Sequence, residues 1–384
     1  MNLGFSQEQE ILRKGARDFI KGHLKTPLAK EILRFEQDPL GYDPATWQEM
    51  AALGWMGCAI PTEYEGVGGS FLDLMVLLEE IGGSCLPGPF FSTVMSALVI
   101  LDAGNDEQKR KLLPAISRGE LIATLAISET NAQWDPSSIE TVAHAKQNHY
   151  VISGTKLFVA DAAAAQMLIV PARTLPTNSL EKRGISLFLV DTKNHGLDMK
   201  ELKTIASDRK YRIVFKNVEV DTKGLIGGLN EAWQFLDRAI QRAAVGKCAE
   251  MVGGAQQVLN MTVQYTKDRV QFGKPIGSFQ AIQNHCANMA IDLDASRFLT
   301  YQAAWSLSEG LPCTIEVSVA KSWVSDAYKR ITRLAHQVHG AIGYTMEHDL
   351  PLYFKRCEAA ATDWGDVNFH HSLIARSLTG IAQK

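Results

Sequence analysis

Beyond Gly228 the chain carries three long consecutive runs, 229–271, 278–309 and 313–339, in which apolar residues return every three or four positions. Long amphipathic helices that follow one another through short connections must bury their apolar stripes against each other, so a helical bundle is the expected solution. The first third is helical as well. Ser6 is placed to cap a helix with Gln9 reaching back to it, and further helices are expected over 44–53, 70–83, 94–103 and 106–118. Between these regions the pattern changes to short runs rich in β-branched and aromatic residues, at 121–127, 149–153, 156–160, 167–170, 184–191 and 211–218, separated by polar and Gly-containing turns such as 176–184. Several short strands in one block predict a compact β-barrel or sandwich. The expected fold class is therefore α+β: an N-terminal helical domain over 1–120, a β-domain over 121–228 and a C-terminal four-helix-bundle-like domain over 229–384.

Charge narrows the function classes. The 384 residues carry a formal net charge of -3, with Lys and Arg scattered among Asp and Glu, so no basic face points to nucleic acid or an anionic membrane. An anionic ligand must then be held locally. No run approaches the ~20 apolar residues that span a bilayer, and the amino terminus lacks a basic segment followed by an apolar one, which predicts no membrane insertion and a cytoplasmic location. The six cysteines are widely spaced without a C-x-x-C pair, which suits reduced thiols. His370 and His371 are adjacent and point different ways on a helix, so no metal site is expected.

Two motifs in the helical region carry the chemistry. R-V-Q-F-G-K-P-I-G-S-F-Q fills 269–280, and Q-V-H-G-A-I-G-Y fills 337–344. Gly273 and Pro275 are ordinary helix-stop signals, and Arg269 could simply satisfy helix carbonyls. Yet a fixed cation and an aromatic, Arg269 and Phe272, stand together at a helix end, where a guanidinium can clamp a pyrophosphate bidentately. With the helix, strand, helix order, these motifs resemble those of the acyl-CoA dehydrogenase family, and the resemblance covers nearly the whole chain. The segment 61–70 is similar to that family's Pro-x-x-x-Gly-Gly loop, with Glu65 and Gly66 added. L-A-I-S-E-T-N-A-Q-W-D over 125–135 resembles its flavin-facing signature, matching at Ser128, Glu129, Ala132 and Asp135 and departing at Thr130, Asn131, Gln133 and Trp134. G-T-K-L-F-V-A-D over 154–161 resembles the strand that faces the flavin ring, with Phe158 keeping the aromatic character and Ala160 losing a hydroxyl.

Carried over by position, the resemblance implies bound FAD. Arg269 and Phe272 would hold the FAD of a neighbouring subunit, Gln337 and Gly340 would approach its pyrophosphate, Ser128 would bond the flavin edge, Phe158 would pack near it, and Asn368 would touch the cofactor. Phe158 also has a plain alternative as core. Sharing a cofactor between subunits implies an oligomer, a homotetramer or a heterotetramer with a related subunit. The implied reaction is α,β-dehydrogenation of an acyl-CoA to the enoyl-CoA, with an electron-transfer flavoprotein as acceptor.

One family residue is missing. The usual Tyr-Glu-Gly-Thr near the carboxyl terminus corresponds to D-W-G-D-V-N over 363–368, so Trp364 occupies or borders the base position. A second branch of the family places its Glu at the position of Ala243, where no carboxylate lies one turn away; Arg242 beside it could orient a carboxylate or be solvated. Asp366 is the nearest acidic candidate for the general base, its alternatives being a bond to the cofactor or the cap of a helix beginning near Val367; Asp363 is a weaker one. Trp134 and Trp364 point to a reshaped acyl pocket and a branched, cyclic or otherwise non-straight-chain acyl group. Two other readings stand beside this one: a noncatalytic or half-site subunit whose partner supplies the base, and a flavin oxidase or reductase on the same fold.

Overall fold

The computed structural model describes residues 4–24, 28, 32, 34–35, 38–175 and 182–380. Part of the turn expected over 176–184 lies outside them. Helices come first: α1 (Gln7–His23), α2 (Pro44–Ala52), α3 (Phe71–Ser84), α4 (Phe90–Ala103) and α5 (Asp106–Ser117). The capping box at α1 is present, with Gln9 N donating to Ser6 Oγ at 3.2 Å and Ser6 N donating to Gln9 Oε1 at 3.0 Å. Asn105 and Gln108 repeat the device at α5. Then follow β1 (Ala123–Leu125), β2 (Val142–Ala145), β3 (His149–Ala160), β4 (Met167–Arg173), β5 (Ile185–Asp191), β6 (Leu197–Leu202), β7 (Lys210–Asp221) and β8 (Leu225–Ile226). They form one sheet in the order β6-β7-β3-β2-β4-β5-β8, with β1 pairing in parallel to β4.

Two expected strands, 149–153 and 156–160, are a single one. β3 runs unbroken through Gly154, and its irregularities are bulges rather than turns. Ile152 faces Val218 and Gly154 faces Phe215, so β7 carries the extra residue there; Lys156 faces Ile213 and Val159 faces Tyr211, so β3 carries the extra residue at the second site. Each bulge flips side-chain parity, which keeps Tyr150, Ile152 and Val159 of β3 and Ile213, Phe215, Val218 and Val220 of β7 in one buried cluster. β2 and β6 escaped the sequence pattern. β6, Leu-Asp-Met-Lys-Glu-Leu, is an exposed edge strand with no alternation to read.

The C-terminal helices are α6 (Trp233–Asp268), α7 (Gln280–Ser308), α8 (Thr314–His339), α9 (Leu350–Ala360) and α10 (Val367–Thr379), close to the expected runs. The chain divides into two compact units that cut across the sequence blocks: residues 1–34, 71–86 and 243–384 form one, and residues 35–70 and 87–242 the other. In the helical unit, buried Glu79 of α3 draws three elements together. It accepts from Arg13 of α1 at 3.1 Å and from Arg297 and Tyr301 of α7 at 3.0 and 2.9 Å. In the sheet unit, Arg242 bonds Asp102 of α4 at 2.7 Å, so it is an ion-paired residue rather than a solvated one, and burial pulls its guanidinium below the ordinary value. No described helix is long and apolar enough to cross a membrane.

Candidate functional site

In the sheet unit the site residues are aimed by the second bulge. Phe158 is the extra residue of β3, with φ +52°, and the residue is 56 % exposed, so the alternative of plain core does not hold within this chain. A left-handed aromatic is disfavoured by roughly 1–2 kcal/mol. Two residues before it, Lys156 points inward in phase with Tyr150 and Ile152, is completely buried and donates to Glu129 Oε1 at 2.6 Å and to Ile127 O at 3.3 Å. Glu129 in turn accepts from the backbone N–H groups of Glu140 and Thr141 at 3.0 Å each. Burial pulls the Lys156 ammonium below its ordinary value, and Glu129 opposes that pull. Ser128 is thereby fixed from both sides: its neighbour Glu129 is pinned by Lys156, and its own carbonyl accepts from Leu157 N at 2.8 Å. The Ser128 hydroxyl makes no hydrogen bond among the described residues. Trp134 is half-buried on the loop that follows, and Asp135 of that loop caps a short 3-10 turn by accepting from Ser137 N at 2.9 Å.

In the helical unit, α6 ends at Asp268, and a two-stranded hairpin, β9 (Val270–Gln271) and β10 (Lys274–Pro275), follows. Gly273 was expected to cap the helix; instead Phe272 and Gly273, at φ +53° and +77°, are the two central residues of the hairpin turn. Positive φ at both centres is the signature of a type I′ turn. It presents Phe272 outward at 94 % exposure. Arg269 is exposed, and its guanidinium makes no hydrogen bond or ion pair among the described residues, so it is not satisfying helix carbonyls.

At the far end of α8, Gln337 and Gly340 are exposed, and Gly340 has φ +64° and ψ -143°, a region essentially restricted to glycine. A Cβ built there would meet nothing within 4 Å, so the backbone lies open to close approach. His339 behind it is buried, stacked on Tyr265 at 4.5 Å, with Nε2 lacking a hydrogen-bond partner among the described residues; burial lowers its pKa. An open glycine backbone, a free guanidinium and an outward aromatic suit a dinucleotide with a pyrophosphate and flat rings, so the residues fit FAD.

Asp366 is the N-cap of α10, its Oδ1 accepting from Phe369 N at 2.8 Å, and it is exposed. The capping alternative for this residue is thus realised. Asn368 is exposed in the first turn of the helix with its side-chain amide free of hydrogen bonds among the described residues. Just before it, Trp364 and Gly365 take φ +61° and +96°. Ala243 is fully buried. Sequence reasoning missed two residues against this turn. Lys321 is fully buried on α8, and His370 of α10 is buried while adjacent His371 is exposed. A signal existed for Lys321, since helical periodicity through Val317, Val324 and Tyr328 puts position 321 on the apolar face.

Family models described as "Acyl-CoA dehydrogenase, N-terminal domain", "middle domain" and "C-terminal domain" match residues 6–120, 124–218 and 230–379. Acryloyl-CoA reductase (NADH) of Anaerotignum propionicum is 30 % identical over 98 % of this chain and 96 % of its own length. The Caffeyl-CoA reductase-Etf complex subunit CarC of Acetobacterium woodii is 29 % identical over 92 % of this chain and 93 % of its own. Among solved structures, butyryl-CoA dehydrogenase from Megasphaera elsdenii superposes with a TM-score of 0.91 at 25 % identity, covering 99 % of this chain and 100 % of that one.

Proposed function

The chain belongs to the acyl-CoA dehydrogenase family, FAD-dependent oxidoreductases, and from that premise we propose that it interconverts a non-straight-chain acyl-CoA and its 2,3-enoyl-CoA. The observation that carries this is the set of side chains left uncommitted within the chain: Ser128, Arg269, Gln337 and Asn368 make no side-chain hydrogen bond among the described residues, and Phe158 and Phe272 stand outward on positive-φ backbone. Each stands at a position that the resemblance assigns to FAD. FAD, when bound, supplies the redox chemistry by exchanging the β-hydrogen as hydride.

The protein's own part is positioning and charge. Arg269 and Phe272 grip the cofactor of a neighbouring subunit, Gln337 and the Gly340 backbone approach its pyrophosphate, Ser128 bonds the flavin edge with Phe158 packed near it, and Asn368 touches the cofactor. Subunit pairing is supported by an exposed stripe on α7, Ile291, Phe298 and Trp305, seven residues apart and 66 %, 52 % and 37 % exposed. In the dehydrogenating direction the α-proton passes to a carboxylate as the double bond forms, and Asp366 is the proposed base. A thioester α-proton is weakly acidic, so the base must be desolvated when substrate is bound. Trp134 and Trp364 support an acyl group with a ring or branch. An electron-transfer flavoprotein is the proposed electron partner, and the reductase names of two relatives support the reverse direction as equally open to the same residues.

A second reading is favoured by one observation: Asp366 is exposed and bonded as a helix cap, and by the resemblance Trp364 occupies or borders the family's base position. In that reading the chain holds FAD and a related subunit contributes the base. Anaerobic mixing of the yellow protein with a panel of acyl-CoA thioesters separates the two. Bleaching by the chain alone supports the first, and bleaching only with a co-expressed partner supports the second. Peroxide formed in air would mark an oxidase. D366N is expected to lower kcat by at least a hundredfold if Asp366 is the base, and a variant turning over like the parent removes it from that role.

A further inference from the structure

Ser318, Lys321 and Ser325 lie at three- and four-residue intervals on α8 and share one buried face. A buried ammonium is tolerated only where its protons find acceptors. Lys321 Nζ donates to Ser325 Oγ at 3.3 Å and to the carbonyls of Ala361 and Gly365 at 3.0 Å each. His370 holds the carbonyl between them, with Nε2 3.1 Å from Trp364 O. A carbonyl only accepts, so Nε2 carries the proton and Nδ1, 3.3 Å from Ser318 Oγ, accepts. Burial favours the neutral ring.

The stretch held in this way is the one where the backbone is strained. Trp364 sits at φ +61°, and at Gly365 a Cβ would come within 2.5 Å of Phe369 Cδ1 and 2.8 Å of His370 Nε2. A bulky residue stays left-handed only where its surroundings over-determine it. Here Lys321 of α8 binds two carbonyls and His370 of α10 a third, all within five residues.

We propose that Lys321 and His370 are positioning residues that lock Trp364 in the left-handed conformation and so fix where the 364–366 stretch stands toward the acyl thioester. The claim rests on the acyl-CoA reading for its substrate, and on the backbone alone for the lock. Two measurements therefore test it. In the first, Tm is followed for W364G, K321M and the double variant of the full chain. Relief of strain by W364G is expected to be smaller, by a shift of a few degrees, in the K321M background, where the turn is already free to relax; equal shifts in both backgrounds would overturn the lock. If K321M does not fold, the same cycle is run with H370L.

In the second, K321M and H370L are compared with the parent in FAD content, kcat, KM and relative rates on branched and straight acyl-CoAs. They are expected to keep FAD, to lose about tenfold in kcat and to change acyl preference, and H370Q, whose amide nitrogen can still donate to Trp364 O, should recover most of the loss. Unchanged kcat and acyl preference in both variants would overturn the positioning role. A parent that takes up no FAD and answers no acyl-CoA would instead defeat the functional reading, while the Tm cycle still decides the lock.

Discussion

Lys156 Nζ and Glu129 Oε1 lie 2.6 Å apart with both side chains out of reach of solvent, and this pair supports the Ser128 segment. Removing one member of a buried pair leaves the other charge uncompensated, at about 3–5 kcal/mol. K156M is therefore expected to lower the unfolding free energy by that amount, read as a lower guanidinium midpoint at an unchanged m-value. A loss below about 1 kcal/mol would show that the pair is not what fixes this segment.

Phe272 predicts opposite signs for stability and binding. Asn followed by Gly is the favoured pair at the centre of a type I′ turn, so F272N should relieve about 1 kcal/mol of backbone strain. If the exposed ring grips FAD, the same variant should weaken FAD binding about tenfold, measured as retention on gel filtration and by titration of the stripped protein. Improved stability with undiminished affinity would remove Phe272 from the cofactor site.

At Gly340 the backbone, not packing, sets the cost. G340A places a side chain at φ +64°, ψ -143°, for an expected loss on the order of 1–3 kcal/mol, even though a Cβ there meets no neighbour. Hydrogen exchange should localise the change to the end of α8, and FAD content should drop with it. Uniform loosening across the helical unit would contradict a local cause.

Acid should act through His370. Burial pulls the ring down to about 4 from an ordinary 6.5, with Lys321 and His371 adding to the shift and Asp366 and the Trp364 carbonyl opposing it. Because the folded value is the lower one, the unfolded chain binds more protons between the two. The stabilisation is thus complete above pH 6.5 and is lost as pH falls toward 4, by up to roughly 3 kcal/mol. H370Q has no ring to protonate, so its stability should depend less on pH across this window. Parallel curves for the two proteins would assign the acid limb to other groups.

How much of this was legible depends on the range of the interaction. Helices with strong period and local caps, such as the one opened by Ser6 and Gln9, were readable because their signals lie within one turn. Strand β6 was not, because an edge strand exposed on both faces shows no alternation. The candidate cofactor residues were found through motifs, whereas the reason Phe158 is exposed is a bulge fixed by pairing with β7, over fifty residues away in sequence, as the facing of Val159 and Tyr211 shows. Periodicity places Lys321 on the buried face, but what it holds was hidden for a similar reason. Its acceptors are the carbonyls of Ala361 and Gly365, and backbone groups leave no trace in composition.

The extra residue at Phe158 makes the length of β3 matter more than its letters. Deleting one position between Lys156 and Val159 would restore plain alternation with Lys156 and Val159 still facing Ile213 and Tyr211, and so remove the bulge that sets Phe158 outward. The ammonium would keep its inward place, while the left-handed kink that presents an aromatic ring to the outside would be gone. Among descendants of this sequence, point changes along the strand should accordingly be common, while gaps and insertions at that place should be selected against.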